Sequence, residues 1–187
     1  HPSDEEKEFL LRLAPVLVLA GGEAGYRDFC SRLSEQFGAT SDVGTAERTC
    51  KACLLMPAAV KLDDLPHAVL AKNLDEGTAF GGFRPLVWLT RALVAYRRGD
   101  AESAAAYVNK AEEVNPSKEP HALSLSIRGL ARGHLVDAEN YRHDAEAASE
   151  TIDRLLKNFN PGNYHDVLIA KILSREMQAQ SDVRRGR

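Results

Sequence analysis

Residues 85–116, PLVWLTRALVAYRRGDAESAAAYVNKAEEVNP, constrain the fold more than any other stretch. Trp88, Ala92, Leu93 and Tyr96 recur at i, i+4, i+5 and i+8, the apolar stripe of one helix. Ala104, Tyr107, Val108 and Ala111 recur at i, i+3, i+4 and i+7 on a second. Gly99-Asp100 supplies a tight turn between them. Asn115-Pro116 stops the second helix, because the residue before a proline is pushed out of the helical region. The stretch is a helical hairpin.

The rest of the chain carries the same periodicity. Ser3 with Glu6 makes a capping box for a helix to about residue 20, ended by Gly21-Gly22. Residues 23–37 set Tyr26, Phe29, Cys30, Leu33 and Phe37 at helical spacing, with Gly38 as the C-terminal glycine and a polar turn over 39–44. A helix over 45–56 has Ala46, Cys50, Cys53 and Leu54 as its stripe and is closed by Pro57. Another runs from about 64 to Gly77, with Pro66 tolerated in its first turn, and Gly81-Gly82 separates it from the hairpin.

After Pro116 a helix begins near Pro120 and carries Leu123, Ile127, Leu130 and Leu135. Gly129 and Gly133 inside it cost helix stability, which predicts close helix contact there. The helix 138–158 turns Ala145, Ala148, Ile152, Leu155 and Leu156 inward, and Asn160-Pro161-Gly162 breaks the chain. The last helix, from 164 to about 180, packs Leu168, Ile169, Ile172 and Leu173 before a frayed basic end at Arg184-Arg185-Gly186-Arg187. The fold class is therefore all-α. About nine helices in antiparallel pairs form a helical repeat solenoid, one domain over residues 1–187 with atypical outer units as caps.

The hairpin resembles a tetratricopeptide repeat, a helix-turn-helix unit of about 34 residues, and residues 85–118 are its best match. Trp88 stands at the repeat's aromatic position, Ala92, Ala104 and Ala111 at its small positions, Gly99 at the turn glycine and Pro116 at the closing proline. Small residues let two helices approach, while glycine and proline shape the turns. Two positions depart from the pattern: Arg91 stands where leucine is usual, and Val108 replaces an aromatic. A wider resemblance covers most of the chain. The segments YRDFCSRLSEQFGAT (26–40), TAERTCKACLLMP (45–57) and YHDVLIAKILSRE (164–176) are similar to the C-terminal repeat region of large planctomycete-type bacterial serine/threonine protein kinases. Similar regions also follow WD-repeat segments. The resemblance implies that the chain is a piece of a larger signalling protein with any kinase domain upstream.

Composition narrows the function classes. Hydrophobic residues make up 44% and charged residues 27%, ordinary for a globular domain with solvated helix faces. A net charge of −3 with acids and bases interspersed gives no nucleic-acid footprint. The most apolar run, 13–20, contains Pro15 and falls short of the ~18 residues a membrane span needs, so no membrane contact is expected. It follows the acidic start Asp4-Glu5-Glu6, which argues against a signal peptide. Three cysteines, an odd count, fit a reducing, cytoplasmic setting rather than a disulfide framework.

No catalytic residue, cofactor or metal is expected in this segment. Cys50-x-x-Cys53 is one cysteine pair where a structural zinc site usually has two, and no strand precedes it as in thioredoxin-like motifs. Packing cysteines are the favoured reading, with a metal or redox site as the remote alternative. His165-Asp166 are sequence neighbours that point to different sides of a helix, and Asp166 suits the helix dipole at its start. His67, His121, His134 and His143 show no ligand spacing. The glycine pairs are breaks between helices rather than a phosphate loop, and the kinase signature elements are absent from this segment.

What remains is a surface for a protein or peptide. By the tetratricopeptide resemblance, Leu86, Leu89, Leu93, Tyr96 and Arg97 line the concave groove. Leucines stand where a carboxylate clamp needs lysine and asparagine, so capture of a partner's C-terminal carboxylate is not expected. Arg97, Arg128 and Arg132 face an acidic peptide if their helices are in phase; otherwise they are solvated charges. Leu86, Leu89 and Leu93 can equally be covered by a neighbouring helix in a tightly wound array. A structural or self-association role is the alternative to an interaction module.

Overall fold

The computed structural model describes residues 4–77, 83–114, 122–135, 138–158 and 164–185. Every regular element among them is helical: α1 (Asp4–Leu19), α2 (Glu23–Phe37), α3 (Val43–Cys53), a 3-10 turn (Leu62–Asp64), α4 (His67–Asp75), α5 (Arg84–Arg97), α6 (Ala101–Val114), α7 (Ala122–His134), α8 (Ala138–Lys157) and α9 (Tyr164–Arg185). The all-α class stands. The Ser3 cap, the start near Pro120 and the breaks at Gly81-Gly82, Asn115-Pro116 and Asn160-Pro161-Gly162 lie outside the described residues. So do His121 and Gly186-Arg187.

The hairpin forms as the sequence predicts. Gly99 adopts φ +82°, a left-handed turn open to glycine without steric cost, and Ser103 N–H is capped by Asp100 Oδ1 at 3.0 Å. Ala92, Ala104, Val108 and Ala111 are buried between the two helices, which pack together more extensively than any other pair. Trp88 and Tyr107 are half-buried. Their rings lie 5.5 Å apart, with the Arg91 guanidinium 4.5 Å from the Tyr107 ring. Arg91 is thus held by the aromatics around it.

Several boundaries move for identifiable reasons. Helix α3 starts at Val43 because Asp42 caps it, accepting from Thr45 N–H at 2.8 Å and from the Thr45 hydroxyl at 2.6 Å. It ends at Cys53, short of Pro57. The Tyr26 hydroxyl takes up that end, donating to Ala52 O at 2.8 Å and accepting from Leu55 N–H at 3.0 Å. Pro66 stands before α4 rather than within its first turn. Gly38 does cap α2, but with φ −58°, so no left-handed turn is made. Its missing Cβ matters instead because one would lie 2.6 Å from Asp64 O across the chain. Leu135 and Leu156, expected inside, are exposed.

The contacts close on themselves. Helix α1 packs on α3, α3 on α5, α5 on α7, α7 on α9, and α9 returns to α1. The two ends of the array therefore meet. Most of the buried side chains join in one continuous core. Helix α9 contributes Ile169, Ile172, Leu173 and Met177 to it, while its Val167 and Ala170 pack with Ala122 and Ile152 in a smaller cluster, so its first half is covered on most of its circumference.

Candidate functional site

Two of the residues expected to line a groove, Tyr96 and Arg97, meet α9. Leu89, Leu93 and Tyr96 are buried, and Leu86 is half-buried. Leu89 and Leu93 are therefore covered rather than open to a groove, while Leu86 keeps part of its surface exposed. Arg97, whose side chain is only 6% exposed, ties three elements together. Its Nη1 and Nη2 donate to the two carboxylate oxygens of Glu176 on α9 at 2.6 and 2.8 Å. Its Nε and Nη2 donate to the carbonyls of Leu54 and Leu55, just past the end of α3, at 2.9 and 3.1 Å. A planar guanidinium is the side chain that can form a fork with a carboxylate and still reach a helix end.

Tyr96 reads the same helix. Its hydroxyl donates to Glu176 Oε1 at 2.9 Å and accepts from Gln180 Nε2 at 2.7 Å. Burial and the Glu176 charge push its phenol well above its ordinary value. The ring stands edge-on to His134 of α7 at 5.4 Å. The site is thus a polar cluster in which Tyr96 and Arg97 hold a carboxylate and an amide of α9 one helical turn apart.

A second polar group lies deeper. Lys51, 3% exposed, pairs with Glu47 at 2.7 Å and with Asp166 of α9 at 3.3 Å. The Thr90 hydroxyl donates to Glu47 at 3.1 Å. Burial alone would lower the lysine's pKa, but the two carboxylates outweigh it and hold the ammonium above its usual value. Asp166 therefore serves a buried ion pair rather than only the dipole at the start of α9. His165 Nε2 lies 3.6 Å from its carboxylate.

The other expected contacts are spent within the fold. Arg128 reaches Glu112 at 2.7 Å and Asp144 at 3.2 Å, and Arg132 reaches Asp144 at 2.7 Å. Both arginines are paired with the chain's own carboxylates rather than lying open for an acidic peptide. Beside them the predicted close contact at Gly129 is present: a Cβ there would lie 2.5 Å from Met177 Sδ.

Glu47, Lys51, Asp166, Glu176 and Gln180 are the site residues that the stripes did not mark. The sequence marks Glu47 and Lys51 only as an i, i+4 pair, and that α3 is buried on nearly every face is visible in the fold alone. All three cysteines are free and buried, as packing cysteines would be. Among the described residues, no three His, Cys, Asp or Glu side chains gather as a metal site, and no helix is long and apolar enough to cross a membrane. No protein-family model, curated protein or solved structure matches the chain.

Proposed function

We propose that this chain is a non-catalytic module for protein or peptide interaction. It belongs to the repeat region of a cytoplasmic bacterial signalling protein similar to a serine/threonine kinase. The supporting observation is the bidentate Arg97–Glu176 pair with Tyr96 beside it, a side-chain readout of a helix. The ligand class is an amphipathic helix whose apolar ridge carries a carboxylate at the place of Glu176. Here α9 occupies that place in cis. A partner helix competes for its second half, where burial falls away after Met177. A preformed frame keeps the ordering cost of such binding low.

The test uses a labelled peptide of residues 164–185 titrated into the full chain and into its Glu176→Ala variant. Saturable binding to the variant, weaker binding to the unaltered chain, and loss on Glu176→Lys in the peptide are expected. Equal, non-saturable signals in all arms would sink the reading.

Self-association is the second reading, and one observation favours it. Phe9 and Val16, 63% and 48% exposed, stand two turns apart on one face of α1. A solution mass that does not rise with concentration removes it.

A further inference from the structure

The CxxC spacing draws attention to Cys50 and Cys53, yet the fold brings Cys53 to a different partner. Cys53, at the end of α3, meets Cys30 of α2: its Sγ lies 3.9 Å from Cys30 O. Helices α2 and α3 pack against each other, and both cysteines are buried there. Positions i and i+3 of a helix hold their Cβ atoms about 5–6 Å apart. A disulfide needs about 3.5–4.5 Å. Cys50 and Cys53 would have to unwind α3 to join, whereas the Cys53 sulfur already lies against Cys30 across two helices. Burial and the Glu47 charge raise the Cys50 thiol pKa.

We propose that Cys30 and Cys53 are a dithiol that closes reversibly into a disulfide between α2 and α3, with a low-molecular-weight disulfide as oxidant. The Cys30 thiolate attacks one sulfur of the oxidant, forms a mixed disulfide and expels one small thiolate. The Cys53 sulfur, giving up its proton, then attacks the Cys30 sulfur and expels the second. Two protein thiols are oxidised and one small disulfide is reduced to two thiols, which take up the two cysteine protons.

The environments suit these roles. Contact with the Cys53 thiol lowers the Cys30 pKa despite its burial, which favours the attacking thiolate. Cys53 is shifted the other way, by its hydrogen bond to Cys30 and by burial, and keeps its proton until the second step. Both sulfurs are buried, but α2 is an outer helix whose main neighbours are α1 and α3, so local opening of α2 admits the oxidant. The bond would form one residue before the Leu54 and Leu55 carbonyls that hold Arg97, and would staple the end of α3 on which the Arg97–Glu176 contact rests.

The experiment incubates the full native chain with excess oxidised glutathione and maps the products by peptide mass spectrometry. The expected product is a Cys30–Cys53 cross-link in the unaltered chain and in Cys50→Ser, absent from Cys30→Ser and Cys53→Ser. Oxidation should raise Tm by roughly 6–12 °C, reversed by dithiothreitol. A Cys50–Cys53 cross-link would overturn the assignment. So would a stable glutathione adduct that never resolves. Three intact thiols, under conditions that oxidise the urea-unfolded chain, would do the same.

Discussion

Arg97 joins three elements: α5, α9 and the end of α3. Replacing it with alanine leaves Glu176 without its fork and two carbonyls without donors inside the fold. Breaking such a pair costs about 3 kcal/mol or more in urea unfolding, and Arg97→Lys recovers only part, because an ammonium cannot form the fork. A loss below about 1 kcal/mol would show that the contact is not held in solution. Gly129 poses the opposite problem. Alanine there gains about 1 kcal/mol of helix propensity but meets Met177 Sδ, and overpacking costs about 1–3 kcal/mol. The net is a loss of roughly 1 kcal/mol, which should vanish or reverse in a Met177→Ala background. Additive effects of the two substitutions would rule out the contact. Gly129 was legible because glycine in a helix interior needs a reason. Glu47 and Lys51 were not, since an i, i+4 ion pair looks the same in solvent and in a core.

At the scale of elements, α9 decides the character of the molecule. Its helical pattern was readable, but its end was not: it continues to Arg185, five residues past the expected 180. Its first half is core and its second half is largely surface, with Val183 60% exposed. Leu173→Ala should therefore cost about 3 kcal/mol, in the range for emptying a core leucine site. Val183→Ala should stay within about 0.5 kcal/mol. Similar losses at both sites would mean that the buried and exposed halves have been misassigned. Helix α3 shows the same limit of sequence reading. Its stripe of Ala46, Cys50 and Cys53 is buried as expected, but Thr45, Glu47, Thr49 and Lys51 are buried as well. Periodicity locates one buried face; it says nothing of whether a second neighbour covers the other.

At the scale of the whole molecule, the return of α9 to α1 couples the ends of the chain. Open repeat arrays unfold in pieces when their interfaces are weak. This chain should instead show one calorimetric transition whose van't Hoff and calorimetric enthalpies agree; two resolved transitions would contradict the closure.

Its pH dependence follows from the buried groups. Burial, with neighbouring charges, raises the pKa of Tyr26, Cys50 and Tyr96, and the hydrogen bond to Cys30 with burial raises Cys53. Lys51 is raised by its carboxylates against its burial. Each keeps its proton to higher pH in the fold than in the unfolded chain, so the fold binds more protons in alkali and stability falls as pH rises. The stabilisation is intact below the ordinary thiol value of 9.0 and erodes above it, through 10.0 for the phenols and 10.5 for the lysine. Cys30, lowered, works the other way, one group against five. Tm should be level from about pH 7 to 8.5 and fall above about pH 9. A level profile to about pH 11 would refute it.

The sequence by itself determined that the chain is helical, where most helices lie, how the central hairpin turns and where two helices crowd. These are local matters, set by the 3.6-residue period, by glycine and proline, and by side chains that cap the nearest backbone. Only the tertiary structure decided what the expected groove contains. Whether Tyr96 and Arg97 meet solvent, a partner or α9 depends on contacts about 80 positions away in the chain. An arginine on a helix face carries the same local signal whether its carboxylate belongs to another protein or to its own last helix.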